Sequence, residues 1–223
     1  MDLSELKARL AQLDSPALCD AEKSLRVGLG VVDAAIRPMN LGVKLVGRAH
    51  TVSCHEDFLT VIKGLKEAEA GEVLVIDSRG SHKALTGGLF PTEANRKGLA
   101  GIVIDGYCRD TAAIRSVGIP YYVRGVTPFA GTTERIYPTQ IDVTCGGIVV
   151  RPGDVVFGDD DGLLVATEAQ FAELVPLAEE IRASEARLFE GMAKGVSLLD
   201  MTNFDEHCVR LAAGESSKLK FVE

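Results

Sequence analysis

The chain has no tryptophan, and its 223 residues include only 8 Phe and 4 Tyr. So few rings argue against an aromatic platform for stacking sugars or bases. Cysteine is also scarce. Cys19, Cys54, Cys108, Cys145 and Cys208 are odd in number, widely spaced and without a C-x-x-C pair, so neither a zinc ribbon nor a disulfide framework is indicated. The start, MDLSELKARLAQLD, is acidic and amphipathic rather than a basic leader with an apolar run. The expectation is a cytoplasmic protein with reduced thiols. No apolar run approaches ~20 residues, so a membrane-spanning helix is not expected. Basic runs are missing too: Lys+Arg total 24 against Asp+Glu 32, a net charge of −8. Direct nucleic-acid binding, which wants a basic face, is therefore not expected. No G-x-S-x-G, H-E-x-x-H or P-loop occurs. Gly28-Leu29-Gly30 lacks the third glycine and the preceding strand of a dinucleotide fingerprint.

What is present is a globular composition, 46% apolar and 25% charged, long enough to bury a core without disulfides. Leu3, Leu6, Leu10 and Leu13 fall at helical spacing, and Asp14-Ser15-Pro16 opens a second helix over about 16–23. Residues 28–42 read as loop, and Val43–Val46 and Ala49–Val52 as strand pieces around Gly47. Phe58, Val61, Ile62, Leu65 and Ala68 share a helical face. Val73–Asp77 and Gly101–Asp105 are apolar runs ending in aspartate, the pattern of strands buried on both faces. Helices over 89–97 and 111–117 and a third strand over Ile119–Val123 complete a βαβαβ core with parallel neighbours. Strands over 148–150, 155–157 and 163–165 make a β-rich second half. A long helix then runs over about 168–194, followed by a tail, 196–223, expected as a short helix or a mobile end. No linker divides the chain, so a single α/β domain over 1–223 is expected.

Three groups of residues carry candidate chemistry. Arg109-Asp110 follows the second core strand, and ligands of α/β sheets bind at the carboxyl ends of the strands. An arginine there clamps a carboxylate, and a carboxylate beside it holds a hard divalent cation. The same pair also reads as a loop ion pair, or Asp110 as the N-cap of the helix over 111–117. Thr86-Gly87-Gly88-Leu89-Phe90 puts adjacent glycines at a helix N-terminus, where backbone N–H groups meet anions. The alternative is a plain glycine turn. Asp77, Asp105, Asp159, Asp160 and Asp161 read as turn formers. His50 and Cys54 fall at even spacing on a strand with His55 on its other side, which does not assemble a metal site.

The stretch GEVLVID…TGGLFPTEANRKGLAGIVIDGYCRDTAAIRSVGIPYYVRG resembles the core of the family of regulator of ribonuclease activity A and the class II 4-hydroxy-4-methyl-2-oxoglutarate aldolases. LDSPALCDA, RPGDVVFGDDDGLLV and the long terminal helix extend the likeness over nearly the whole chain. The resemblance implies a compact α/β sandwich of αββα type, assembled as a homotrimer or a dimer of trimers, with the C-terminal helix and tail on a neighbouring subunit. In the aldolase branch it implies a metal-dependent lyase that cleaves a 4-hydroxy-2-oxo acid to pyruvate and also decarboxylates oxaloacetate. Asp110 would then bind Mg2+ or Mn2+, Arg109 the pyruvyl oxygens, and the amides of Gly87, Gly88, Leu89 and Phe90 the carboxylate. Glu185 matches a helix acid contributed by the neighbouring subunit. The name-giving branch implies instead a protein-binding regulator that inhibits a ribonuclease. One position departs from the aldolase pattern. An acid normally stands 21 residues before the Arg of Arg-Asp, and here that position is Gly88. Its absence puts the usual proton relay in question. A carboxylate restored at 88 would raise turnover unless the glycine is there for a positive φ.

Overall fold

The computed structural model describes residues 3–221. They form two compact units, Met1–Ala178 and Glu179–Glu223, with the boundary inside one helix. In the first unit, α1 (Leu3–Leu10) buries Leu6 and Leu10. The next helix, α2 (Ser15–Leu25), is started by Asp14, whose side chain accepts the Ala17 N–H at 3.0 Å, with Pro16 in the first turn. Such a cap stabilises a helix by about 1 kcal/mol.

The centre is a mixed sheet. Four strands, β3 (Leu45–Ser53), β4 (Glu72–Asp77), β6 (Gly101–Cys108) and β7 (Tyr121–Val126), lie side by side and parallel in that order. The expected βαβαβ core is β4, β6 and β7, joined by α4 (Leu89–Lys97) and α5 (Thr111–Val117). Beyond β3 come β10 (Val155–Gly158) and β11 (Leu163–Ala166), both antiparallel to their neighbours. The strand pattern explains why the sheet sits inside. Leu74, Ile76, Ile102 and Ile104 face a core shared with α3 (Leu59–Glu67), α4 and α5. Val73, Val75 and Val103 face a second core containing Tyr122, Val156 and Leu163, covered by the hairpin β8 (Val143–Cys145) and β9 (Ile148–Val150). Each large side chain so buried contributes roughly 1.5–3 kcal/mol.

Several expected boundaries move. Gly47 does not break β3. A Cβ there would stand 2.6 Å from the Gly71 carbonyl oxygen, so glycine allows a close backbone approach inside one continuous strand. Residues 28–42 are not all loop: β1 (Gly30–Val31) and β2 (Arg37–Pro38) form the two edges of the sheet. The strand β6 continues past Asp105 to Cys108 through a register shift against β7, so Arg109 follows the strand end directly. A short strand that sequence did not indicate, β5 (Ala84–Thr86), pairs with β6 just before the double glycine. The long helix is α6 (Glu168–Ala193), and its opening turns bury Phe171, Leu174, Val175 and Ala178.

In the second unit, the rest of α6 is followed by α7 (Phe204–Ala212), so the tail holds a regular helix. No residue from Glu179 to Phe221 is buried. Phe189, Leu199, Phe204, Val209, Leu211 and Leu219 are all exposed. Among the described residues no helix is long and apolar enough to cross a membrane.

Candidate active site

The carboxyl end of β6 and the N-terminus of α4 meet because β5 pins them together. The Arg109 N–H donates to the Thr86 carbonyl at 3.1 Å, which brings Gly87 beside Asp110. Asp110 adopts the left-handed conformation, φ 59° and ψ 43°. Aspartate tolerates that region better than most residues, at a cost of roughly 1 kcal/mol. Its side chain does not cap α5. Instead its Oδ2 accepts the Gly88 N–H at 3.2 Å. Asp110 is thus the N-cap of α5 by position, its carbonyl accepting the Ile114 N–H at 3.1 Å, while its carboxylate is aimed back across the sheet end, towards the glycine turn.

The two glycines serve different ends. A Cβ on Gly87 would lie 2.4 Å from Asp110 Oδ2 and 3.3 Å from Arg109 Cγ. Only glycine leaves the carboxylate its place. At Gly88 the backbone is ordinary, φ −56° and ψ −24°, so a positive φ is not the reason for glycine. The reason is space, since a Cβ there would stand 2.6 Å from the Cβ of Ala113 on α5. Alanine has no flexible end to move aside, so a larger residue must displace the helix. Gly88→Asp is therefore expected to lower stability by about 1–3 kcal/mol through overpacking and to give no gain in turnover. A melting curve paired with a turnover assay checks both. An unchanged melting temperature would show that α5 yields freely.

Arg109 and Asp110 are about half exposed, and Arg109 Nε lies 3.8 Å from Asp110 Oδ2. A pair of that kind contributes at most about 1 kcal/mol, so both groups stay available to a ligand. They open on a pocket of about 120 Å³, whose remaining walls are Phe58, Ala84, Leu85, Leu89, Phe90 and Ala130 with Thr86 and Gly87. The Phe58 and Phe90 rings meet edge to face, 6.0 Å between centroids. Such a space admits a molecule of a few heavy atoms, well below the usual size for a nucleotide or a large cofactor. Of the amides at the turn, that of Gly88 is given to Asp110, and that of Phe90 donates to the Gly87 carbonyl at 3.1 Å. The amides of Gly87 and Leu89 remain to meet an anion.

Behind the pocket lies a buried polar pair, the hydroxyls of Thr86 and Tyr121, in hydrogen-bond contact. Burial pushes the Tyr121 hydroxyl well above its ordinary value and raises the Cys108 thiol beside it. Burial also raises Cys54 and Cys145, each to about 12. These groups stay protonated at neutral pH, so none of these three cysteines supplies a thiolate nucleophile.

The other candidates are structural or elsewhere. Asp105 accepts from Arg124 Nε at 2.6 Å and the Gly146 N–H at 2.7 Å. Asp77 accepts the Arg79 N–H at 2.7 Å. Asp159 accepts the Ser15 N–H and hydroxyl at 2.6 and 2.7 Å. His50 is buried with Nδ1 3.2 Å from Glu72 Oε2, whereas His55 is exposed on the Arg79 carbonyl. Among the described residues no three His, Cys, Asp or Glu side chains cluster as metal ligands. Glu185 stands half-buried on α6 within the second unit and is not one of the residues lining the pocket. Sequence reasoning passed over Ala84, Leu85 and Ala130 as pocket walls. Their only signal is the isolated bridge between Ala84 and Ala130, a long-range pairing with no local pattern.

A family model described as RraA-like, Aldolase/RraA, matches residues 15–165. A protein of Halalkalibacterium halodurans, named provisionally as a 4-hydroxy-4-methyl-2-oxoglutarate aldolase, is 34% identical over 71% of this chain and 76% of its own. The solved structure of the RNA-processing inhibitor RraA from Thermus thermophilis is 31% identical, with a TM-score of 0.62 over 68% of this chain and 92% of that one. RraAS2 of Streptomyces coelicolor, described as an unusual member of the RNase ES inhibitor RraA family, is 28% identical. Its TM-score is 0.72 over 85% of this chain and 98% of its own.

Proposed function

Because the chain belongs to the RraA-like family of aldolases and RraA proteins, we propose that it is a lyase cleaving a 4-hydroxy-2-oxo acid to pyruvate, with a divalent cation at Asp110. The observation that carries this reading is the left-handed Asp110, aimed over a Cβ-less Gly87 beside the half-exposed Arg109. Of the five described non-glycine residues with positive φ, Asp110 is the one that lines this pocket, and backbone cost of that kind clusters at ligand sites.

The residues suit a hard cation. A single carboxylate oxygen donor, half exposed, with no thiol or imidazole lining the pocket, fits Mg2+ or Mn2+. Such ions keep several waters and take one or two carboxylates plus substrate oxygens. The bound ion would supply Lewis acidity at the keto oxygen. Arg109 orients the substrate by pairing with its carboxylate or keto oxygen, and it stabilises the negative charge that develops there as the C3–C4 bond breaks. The free amides of Gly87 and Leu89, at the positive end of α4, hold the same end of the molecule. Removal of the 4-hydroxyl proton sends the C3–C4 electrons into the pyruvate enolate, and a proton returned to C3 completes the turnover. Oxaloacetate would lose carbon dioxide to the same enolate. We assign that proton movement to water with Glu185 of a neighbouring copy, since Gly88 leaves the local acid position empty.

Assembly with further copies is part of the proposal. A unit whose described residues expose ten large apolar side chains and bury none lacks a core of its own, and a neighbouring copy would cover it. Light scattering is expected to give three or six times 23.8 kDa. A monomer mass at micromolar concentration would contradict this.

The function itself is tested by pyruvate release from a panel of 4-hydroxy-2-oxo acids and oxaloacetate, with Mg2+, with Mn2+ and after chelation. Release that depends on metal is expected. A second reading, a non-catalytic protein-binding regulator, is favoured by one observation, the glycine at 88 packed against Ala113 with no room for an acid. Absence of release from every substrate would favour it.

A further inference from the structure

Resting on the lyase reading, we infer that among aldol substrates the site selects 2-oxo acids with an apolar chain beyond the reacting carbons, rather than the acids with a distal carboxylate that an oxoglutarate aldolase takes. Oxaloacetate, whose second carboxylate sits on C3 and leaves as carbon dioxide, carries none there. The pocket contains one cation, Arg109, which is matched to one carboxylate. The only other charged group lining it is Asp110, which the proposed cation would occupy, so the lining holds no second basic side chain for a distal carboxylate. Apart from Thr86, whose hydroxyl is paired with that of Tyr121, the side chains this chain offers the rest of the substrate are apolar: Phe58, Ala84, Leu85, Leu89, Phe90 and Ala130. At the mouth, Leu89 is 83% exposed. Lys83, one residue before the wall residue Ala84, is already engaged. Its Nζ lies 3.2 Å from the Glu56 carboxylate and 5.6 Å from the centre of the Phe129 ring. A distal carboxylate drawn into this space would lose water and find no basic partner on this chain, which costs far more than an alkyl group gains or loses there.

The test uses two inert acids of equal carbon number, 2-oxopentanoate and 2-oxoglutarate, which differ at the far end by methyl against carboxylate. Calorimetric titration of the full chain in Mg2+ is expected to give at least about tenfold tighter binding of 2-oxopentanoate. Leu89→Arg adds a cation at the exposed rim while keeping the Leu89 amide. It is expected to tighten 2-oxoglutarate at least about threefold and to leave 2-oxopentanoate unimproved. Equal or tighter binding of 2-oxoglutarate by the unaltered protein overturns the inference. If 2-oxopentanoate binds tighter yet no 4-hydroxy-2-oxo acid is cleaved, the lyase reading falls and the ligand class stands. If neither acid binds, both fall.

Discussion

Asp110→Asn is expected to fold normally and to lose at least about 100-fold in metal-dependent pyruvate release. Asparagine has the same shape as aspartate, and it enters the left-handed region at least as readily. Its amide oxygen keeps an acceptor for the Gly88 N–H, now 3.2 Å from Oδ2. The side chain is about half exposed and caps nothing, so little stability is at stake. What goes is the negative charge, and with it the only carboxylate that lines the pocket. The measurement pairs initial rates over a range of Mg2+ with a melting curve. A variant of wild-type stability and wild-type rate, or a native protein fully active after exhaustive chelation, would remove Asp110 from the metal.

Asp57→Asn is expected to cost about 3 kcal/mol of stability. Asp57 is 1% exposed. Its carboxylate accepts from the Leu59 N–H at 3.0 Å, the Thr132 hydroxyl at 2.7 Å, and the N–H groups of Glu134 and Arg135 at 2.6 and 3.2 Å. It thereby straps residues 132–135 to the start of α3, next to the pocket residue Phe58. Asparagine offers one oxygen where two are used, and turns an NH2 group towards backbone donors. Burial alone would raise the Asp57 carboxyl. The donors from Glu134, Thr132, Leu59 and Arg135 override it and hold the group below the ordinary carboxylate range. A folded-state value below the unfolded one stabilises the protein above about pH 4, and that contribution is lost as pH falls through the folded value. Melting temperatures of the native and Asp57→Asn proteins should therefore differ most near neutrality and converge in acid. A constant gap down to low pH would mean that the carboxylate charge is not what holds the strap.

How much of this was legible in the sequence follows from which forces are local. Residues 89–97 and 111–117 form helices over the expected ranges, because Gly98 and Gly118 end them with positive φ. The runs Val73–Ile76 and Gly101–Ile104 state their burial on both faces outright. The rule that ligands gather at strand ends points to Arg109 and Asp110, the glycine pair at a helix start points separately to Gly87, and only the family resemblance joins them. None of these gives the left-handed backbone of Asp110, which depends on Thr86 anchoring Arg109 across the turn. Strands of two or three residues such as β1, β2 and β5 exist only through distant partners and leave no periodic trace. Gly88 was visible as a departure from the aldolase pattern, but its cause is Ala113, a neighbour 25 positions away. Glu185 entered through family resemblance alone, and α6 lies beyond the residues that the family model matches.

The central claim is that the pocket stabilises the pyruvate enolate, and proton NMR of pyruvate in deuterated buffer tests it without requiring the right aldol substrate. With the protein and Mg2+, the methyl signal should decay as C3 protons exchange for deuterium. The decay should stop with chelator and in Asp110→Asn. Exchange by the native protein and Mg2+ no faster than by Mg2+ in buffer would contradict the claim.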